Sequence, residues 1–419
     1  MIQPIPDMIR VFGRIGLLSF GGPAAQIALM HKELVETRGW MGEAQFLRAL
    51  SFCMLLPGPE AMQLATYAGW KQRGILGGLI GGGLFVIPGA LLITCLALAY
   101  GAYGDLPLVQ ALFLGVQATV VIIVITALKK VASKALKGPI PWAIALAAFV
   151  ALFALNLPFP LVIAMAALVG AFAMAGARVT STPAPIVWGK IAKVILIGAV
   201  IWATPLVIAA GMDATFLSDV GLYFSKLAIV TFGGAYAVLA YMTQTVVADY
   251  GWLTTAQMME ALGLAETTPG PLILVTQFVG MVAGLAEGGV GLALLAGLMT
   301  LWVTFVPCFI WIFAGAPFID RLESQPRLQG ALAGITAAVV GVIANLSVWF
   351  ALHVFFGTVT IDTIGPFQIS TPALGSIRPA AIALAALAAA LMLWRGIGLL
   401  STLGIVAICG ALLCVAGLA

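Results

Sequence analysis

The chain has 419 residues, of which 63% are hydrophobic and 8% charged; its mean hydropathy is +1.15 and its formal net charge +4. Soluble globular proteins carry about 25% charged residues, so lipid is the solvent for most of this sequence. A charge this small and scattered excludes a nucleic-acid partner. Two histidines and five cysteines without a Cys-x-x-Cys pair argue against a metal site, a catalytic triad or a disulfide framework.

In chain order, the first 30 residues carry Asp7, Arg10 and Arg14 inside an apolar run with no small-residue cleavage site, so no removable signal peptide is expected. Two interrupted segments come next: 8–20 and 24–38, separated by Gly21-Gly22-Pro23, then 46–56 and 60–70, separated by Pro57-Gly58-Pro59. Each half is about 11–15 residues, roughly 17–22 Å of helix, too short for a hydrocarbon core of roughly 30 Å. Such halves suit re-entrant hairpins or spans broken in mid-membrane. Both are tolerated only where the broken backbone is buried in protein or lines a cavity. Candidate spans follow at 75–100, 107–128, 140–155, 160–177 and 187–210. The short 140–155 is expected to form a hairpin with 160–177, turning at Asn156-Leu157-Pro158-Phe159-Pro160. The interrupted pattern returns at 222–246 and 256–284, with further spans at 289–315, 329–356, 378–395 and 398–418.

Residues 12–59 and 224–271 are one segment written twice: at a constant offset of 212, 17 of 48 positions are identical. Phe20-Gly21-Gly22 returns as Phe232-Gly233-Gly234, Gly39-Trp40 as Gly251-Trp252, and Pro57-Gly58-Pro59 as Pro269-Gly270-Pro271. Ala235-Tyr236 stands where the first half has Pro23-Ala24, so the second break is expected to be less sharp. Matching Gly/Pro interruptions in two halves of an apolar chain point to a secondary transporter with its site where the repeats meet. The expected fold is an all-α polytopic membrane protein. Two homologous inverted-topology repeats place their broken or re-entrant helical hairpins near the midplane. The repeats are expected at 1–180 and 222–419, joined by a span and linker at 181–221.

Positive charge chooses between the two forms of broken segment. With re-entrant hairpins and a cytoplasmic N-terminus, 17 of 19 Lys and Arg residues lie on or enter from the cytoplasmic side; with full spans the split is 14 to 5. Five spans between the hairpin pairs make the second pair enter from the opposite face, and its flanking Asp213, Asp219, Asp249 and Glu287 agree. The C-terminus is then periplasmic.

Helices that start after Gly22 and Pro59, and after Gly234 and Pro271, aim backbone N–H groups and a positive dipole end into the breaks. Ser19 and Thr231 add hydroxyls, and Arg14 and Lys226 one cation from each repeat. Together these compose a site for a small inorganic anion; the alternative is that the Gly/Pro pairs only permit tight helix packing. Glu60 and Glu266 flank the two Pro-Gly-Pro breaks. Carboxylates at membrane depth are costly, and these two either exchange protons or pair structurally with Arg14, Lys71 or Lys226. Gln63 could bond an oxyanion or another helix. Gln26 is a weaker candidate because its repeat partner is Val238. His31, Lys32 and Glu33 are expected to form a solvated or headgroup-level face, Lys129, Lys130, Lys134 and Lys137 an interfacial basic cluster, and Asn345 an interhelical contact.

Ser19-Phe-Gly-Gly-Pro23, Arg38-Gly-Trp40, Leu55-Leu-Pro-Gly-Pro-Glu60, Gln63-Leu-Ala-Thr-Tyr67 and Glu266-Thr-Thr-Pro-Gly-Pro271 resemble the chromate transporter family, in its long two-domain form. The resemblance covers essentially the whole chain. It implies a non-enzymatic inner-membrane carrier without a cofactor, exporting chromate on the proton gradient or membrane potential and so giving chromate resistance. The family's motif positions fall here on Gly21, Gly22, Pro23, Trp40, Pro57, Gly58, Pro59 and Gln63. Their repeats are Gly233, Gly234, Trp252, Pro269, Gly270 and Pro271. Sulfate, also a tetrahedral dianion, remains an alternative cargo, and an anion channel an alternative mechanism. Internal pseudo-symmetry removes the need for a homodimer without excluding one.

Overall fold

The computed structural model describes residues 3–20, 22–175, 188–232, 235–316, 319, 325–365 and 367–417. The first half runs through α1 (Ile5–Leu18), α2 (Gly22–His31, continued by a π turn, Lys32–Thr37), α3 (Glu43–Leu55), α4 (Glu60–Tyr103), α5 (Pro107–Ala135), α6 (Pro139–Phe153) and α7 (Phe159–Ala173). After α8 (Trp188–Gly211) come α9 (Thr215–Val230), α10 (Ala235–Gln244, continued by Thr245–Asp249) and α11 (Thr255–Thr267). A 3-10 turn (Leu272–Leu274) leads into α12 (Val275–Gly315), followed by α13 (Pro326–Phe355), α14 (Pro379–Ala389, continued by Ala390–Trp394) and α15 (Leu399–Val415). In order and length α9–α12 match α1–α4, and α13–α15 match α5–α7. Helix α8 stands between the halves with no counterpart.

Among the described residues five helical stretches are long and apolar enough to cross a membrane: Glu60–Tyr103, Pro107–Ala135, Trp188–Gly211, Leu272–Gly315 and Pro326–Phe355. Two of them fold back on themselves. α4 loses helical geometry at Arg73 and Gly74, and α12 at Gly288 and Gly289. In α4 the close approaches pair Gly69 with Gly77, Ala65 with Gly81 and Thr66 with Gly82. One number falls as the other rises, so the arms are antiparallel. α4 is thus a short arm from Glu60 to Gln72 and a full span from Ile75 to Tyr103. α12 repeats this with Gly284 against Ala293 and Gly280 against Thr300. A Cβ at Gly69 would fall on the Gly77 carbonyl oxygen; small residues bring the arms into backbone contact where no hydrophobic force separates lipid from protein.

The interrupted segments of the first half are re-entrant. Gln26 Nε2 donates to the Ser19 carbonyl at 3.3 Å, and Arg14 lies 3.5 Å from Glu33. α2 therefore returns alongside α1. Gln72 Nε2 donates to the Trp40 carbonyl at 2.8 Å, so the exit of the second hairpin lies level with its entrance. Counting α6 and α7 as two spans or as one re-entrant pair, the number of crossings between the hairpin pairs stays odd, as inversion requires.

The chain forms two compact units by internal contact: Met1–Leu98, Ala177–Val238 and Ala265–Gln325 in the first, Ala99–Gly176, Leu239–Leu264 and Pro326–Ala419 in the second. In the first unit α1 lies on the long arm of α4, where a Cβ at Gly16 would strike the Leu84 carbonyl. α8 and α9 pack on α12, and Trp302 Nε1 donates to the Ile201 carbonyl at 2.9 Å. The outer side of α8 is apolar and bare: Leu196 is 68% and Val207 67% exposed, as a lipid-facing helix requires. In the second unit α13 is central. Gly330 and Gly334 meet Gly170 of α7, and Gly341 meets Ala145 of α6. α15 closes on α5 through Gly115 and Gly410, over a core of Ala118, Leu384, Ala385, Ala388 and Val406.

One element was not expected. Residues 357–377 read as a connection, but they contain an antiparallel hairpin, β1 (Val359–Ile364) and β2 (Phe367–Pro372), in which Val359 pairs with Pro372 and Ile364 with Phe367. The β-branched alternation Val-Thr-Ile-Asp-Thr-Ile was its signal.

Candidate functional site

The breaks come together in the first compact unit. Gly58 N–H donates to the Thr231 carbonyl at 2.9 Å, and Gly270 N–H donates to the Ser19 carbonyl at 2.9 Å. Donors and acceptors are related by the repeat offset: 58 and 270, 19 and 231. Each Pro-Gly-Pro break is thus tied to the first break of the other repeat by the same bond. A second matched pair fixes the helix ends. Ser19 Oγ donates to the Ile15 carbonyl and Thr231 Oγ1 to the Leu227 carbonyl, each at 2.5 Å. Both hydroxyls spend their hydrogens on their own helices, leaving their oxygens as acceptors. The donors left at the breaks are the first-turn N–H groups of the helices that start there, which lack intrahelical acceptors.

The glycine at the centre of each break is dictated by backbone and space. Gly58 has φ +116° and Gly270 φ +90°, conformations that side chains disfavour. A Cβ at Gly58 would lie 2.8 Å from Cys308 Sγ and 2.9 Å from Gln63 Nε2; at Gly270 it would lie 3.2 Å from Leu274 Cδ1 and 3.3 Å from the Phe85 carbonyl oxygen.

Two glutamines serve the breaks, and a third ties α12 to the long arm of α4. Gln26 Nε2 donates to the Gly270 carbonyl at 2.6 Å as well as to Ser19, crossing from the first repeat into the second. Gln63 Nε2 donates to the Pro57 carbonyl at 2.6 Å, within its own break. Gln277 Nε2 donates to Thr94 Oγ1 at 2.8 Å and to the Ala90 carbonyl at 3.1 Å. All three are buried, and Gln63 Oε1, Gln277 Oε1 and Thr304 Oγ1 lack hydrogen-bond partners among the described residues. Cys308 Sγ donates to the Thr304 carbonyl at 3.4 Å, which sets this polar group beside Gly58.

Not every candidate gathers here. Arg14 is exposed on α1, held by Glu33 at 3.5 Å, and Lys226 is exposed on α9. Pro23, Pro57, Pro59 and Glu60 are half-buried, whereas Glu266, Pro269 and Pro271 are buried. Gly22 opens α2 at φ +77°; Gly21, Gly233 and Gly234 lie outside the described residues. His31 bonds Glu43 at 2.7 Å and Glu36 at 3.1 Å on the exposed rim. The Glu43 hydrogen bond, the largest influence, raises the His31 pKa from its usual value, against a smaller opposing effect of burial. Glu33 departs from the expected solvated face: it is buried, with Arg14 and Arg38 at 3.5 and 3.6 Å. Its spacing from Arg14 along an α1–α2 hairpin was the available signal. Lys129, Lys130, Lys134 and Lys137 are exposed at the end of α5. Asn345 lines a cavity of about 170 Å³ in the second unit with Asn156, Thr243 and Gln368. The roles of Gln277, Thr304 and Cys308 were not read from sequence, because their partners are distant in the chain.

Duplicated helical hairpins whose interrupted ends are bonded across the repeats define an all-α polytopic membrane protein built from two repeats. The profile of the family described as "Chromate transporter" matches residues 6–171 and 218–416, one match to each repeat, and the chain belongs to that family. It is 33% identical over 345 residues to a chromate transport protein of Cupriavidus metallidurans, covering 81% of this chain and 80% of the relative. It is 31% identical over 351 residues to one from Pseudomonas aeruginosa (82% and 80% covered), and 30% identical over 348 residues to a probable chromate transport protein of Synechococcus elongatus (81% and 83% covered). No solved structure matches the chain.

Proposed function

We propose that this protein carries chromate outward across the inner membrane, driven by the proton gradient or membrane potential, and so confers chromate resistance. It acts as a carrier and not as an enzyme, with the repeats at 1–180 and 222–419 and the connecting segment at 181–221. The reciprocal bonding of Gly58 to Thr231 and Gly270 to Ser19 carries the reading, because it ties each Pro-Gly-Pro break to the first break of the other repeat. First-turn N–H groups there offer a dianion hydrogen bonds and positive dipole ends without a buried lysine or arginine. Pro23, Pro57, Pro59, Pro269 and Pro271 free nearby carbonyls and hold the breaks open, and Gln63 adds an amide that can turn toward an oxyanion. Arg14 and Lys226, on exposed faces, suit attraction of the anion before it reaches the break. A protonatable carboxylate converts the pH gradient into work, and Glu60 and Glu266 are the two that flank the breaks. The cytoplasmic placement of the N-terminus follows from the basic residues. Sulfate carriage and an anion channel are the competing readings; a homodimer is compatible with the fold and not required by it.

Labelled chromate flux in everted vesicles tests the proposal, since these expose the cytoplasmic face and an exporter accumulates chromate inside them. Gradient-dependent accumulation supports export, competition by excess sulfate measures selectivity, and flux indifferent to the proton gradient identifies a channel or a potential-driven carrier. No chromate flux above control rejects the substrate. Arg14→Gln should lower flux without lowering the amount of protein in the membrane; wild-type flux in that variant removes Arg14 from the path.

A further inference from the structure

A third membrane-embedded carboxylate has a setting that neither break provides. Glu260 lies on α11 and is 7% exposed. Tyr100, near the end of the long arm of α4, donates its hydroxyl to Glu260 Oε2 at 2.6 Å; Gln117 of α5 donates Nε2 to Oε1 at 2.8 Å. Phe113 packs edge-on against the Tyr100 ring at 5.6 Å, and Gly263 seats α11 directly on Val116 and Val120 of α5. All of these groups belong to the second compact unit. Among the described residues Asp105, in the α4–α5 turn, is a further charged group near Tyr100; Gln257, on Glu260's own helix, also bonds Tyr100. Among the described residues no Lys, Arg or His lies within 4.0 Å of Glu260. Buried Glu33, by contrast, has two arginines.

We propose that Glu260 is a further site that takes up and releases the coupling proton, in addition to the Glu60 and Glu266 candidates beside the breaks. The proposal rests on the reading of this protein as a proton-coupled oxyanion carrier. A buried carboxylate balanced by two neutral donors, with no cation, is the arrangement in which adding a proton removes an uncompensated charge. The repeat supports a dedicated role: the position 212 residues earlier is Arg48, exposed on α3, so the carboxylate belongs to one half alone. Geometry then links the proton to movement. Oε2 accepts from Tyr100 when ionised; a proton placed on Oε2 puts two hydrogens in a 2.6 Å gap, and one must turn away. Either way one hydrogen stays in the gap, so protonation exchanges a charge-assisted bond for a weaker neutral one and to that extent loosens the contact of α11 with α4. α11 runs on through Thr267 to the break at Pro269, so the loosened helix is the one that leads into the anion site.

The test pairs pH-difference infrared spectroscopy of the purified protein with flux in vesicles. Acidification should produce a carboxylic-acid carbonyl band that Glu260→Gln removes. Tyr100→Phe should shift the midpoint of that band upward by about one pH unit, since a donor to the ionised form is lost. In vesicles Glu260→Gln should lose accumulation driven by the pH gradient while keeping chromate counterflow without a gradient. A band unchanged in Glu260→Gln, or wild-type accumulation by that variant under the gradient, overturns the proposal. If Glu260→Gln is inactive in both flux assays, the Tyr100→Phe midpoint decides: shifted supports the assignment, unshifted overturns it. Wild-type chromate counterflow stands apart from these readouts: its absence rejects the chromate reading and leaves the proton site to the spectra.

Discussion

The two Pro-Gly-Pro breaks share a sequence and a reciprocal backbone bond, yet they sit in different surroundings. Pro57 and Pro59 are half-buried and followed directly by half-buried Glu60, whereas 268–284 are buried throughout, with a 3-10 turn before α12 starts. The crossing glutamine is also one-sided: Gln26 reaches Gly270, while its repeat partner is Val238. Duplication therefore preserved the bonds that hold the breaks together and let their access diverge. A transporter that binds on one side and releases on the other needs that separation. Backbone bonds carry the shared scaffold, and side chains carry the difference between the two breaks.

The sharpest way to break the comparison is at the two central glycines. Gly58→Ala should have the largest effect, abolishing flux. Its φ of +116° lies well away from the left-handed well, and the new Cβ meets Cys308 Sγ at 2.8 Å. The cost is about 1–2 kcal/mol for backbone and about 1–3 kcal/mol for overpacking. Gly270→Ala, at φ +90° with neighbours at 3.2 and 3.3 Å, should cost less. Thermal melts in detergent and vesicle flux rank the two, and Cys308→Ala added to Gly58→Ala should recover part of the loss; equal damage without rescue would contradict the packing account.

Gln26→Val sharpens the comparison by giving the first repeat the apolar kind of residue the second carries. It leaves the buried Gly270 carbonyl without its side-chain donor, at about 1–3 kcal/mol. Flux should fall several-fold with the protein still inserted, and unchanged flux and melting would mean that Gln26 is dispensable to the break.

The smallest effect is expected at the rim of the first repeat, where His31 sits between Glu43 and Glu36; the positions 212 residues on are Thr243, Thr255 and Ala248, which carry no such pair. The folded pKa of His31 is raised, so its contribution is fully present below the unfolded value of about 6.5 and is lost as pH rises through the folded value. His31→Gln should remove this pH dependence from the melting temperature. Its partners are exposed, so the effect should be about 0.5 kcal/mol or less. A variant that melts with the wild-type pH dependence would assign that dependence elsewhere.

Much of this architecture was legible because lipid imposes strict length and polarity limits on a helix. The chain order of spans, the α6–α7 turn at Asn156 and the duplicated interruptions at Gly21-Gly22 and Pro57-Gly58-Pro59 all follow from local composition. The β-hairpin at 359–372 escaped because its alternation is short and lies between spans, where an apolar-length criterion has nothing to measure. Charge was not legible as a pairing. Glu33 reads as a rim residue until the α1–α2 fold-back sets it beside Arg14 and Arg38.

The sequence by itself determined where the helices lie, where they break and that the breaks come in two copies, since each depends on residues adjacent in the chain. Only the tertiary structure decided which break bonds which. The Gly58–Thr231 and Gly270–Ser19 bonds and the Tyr100–Glu260–Gln117 cluster join residues more than 140 positions apart. No local pattern encodes that proximity, because a buried polar group needs a partner but its own sequence does not say from which helix the partner comes.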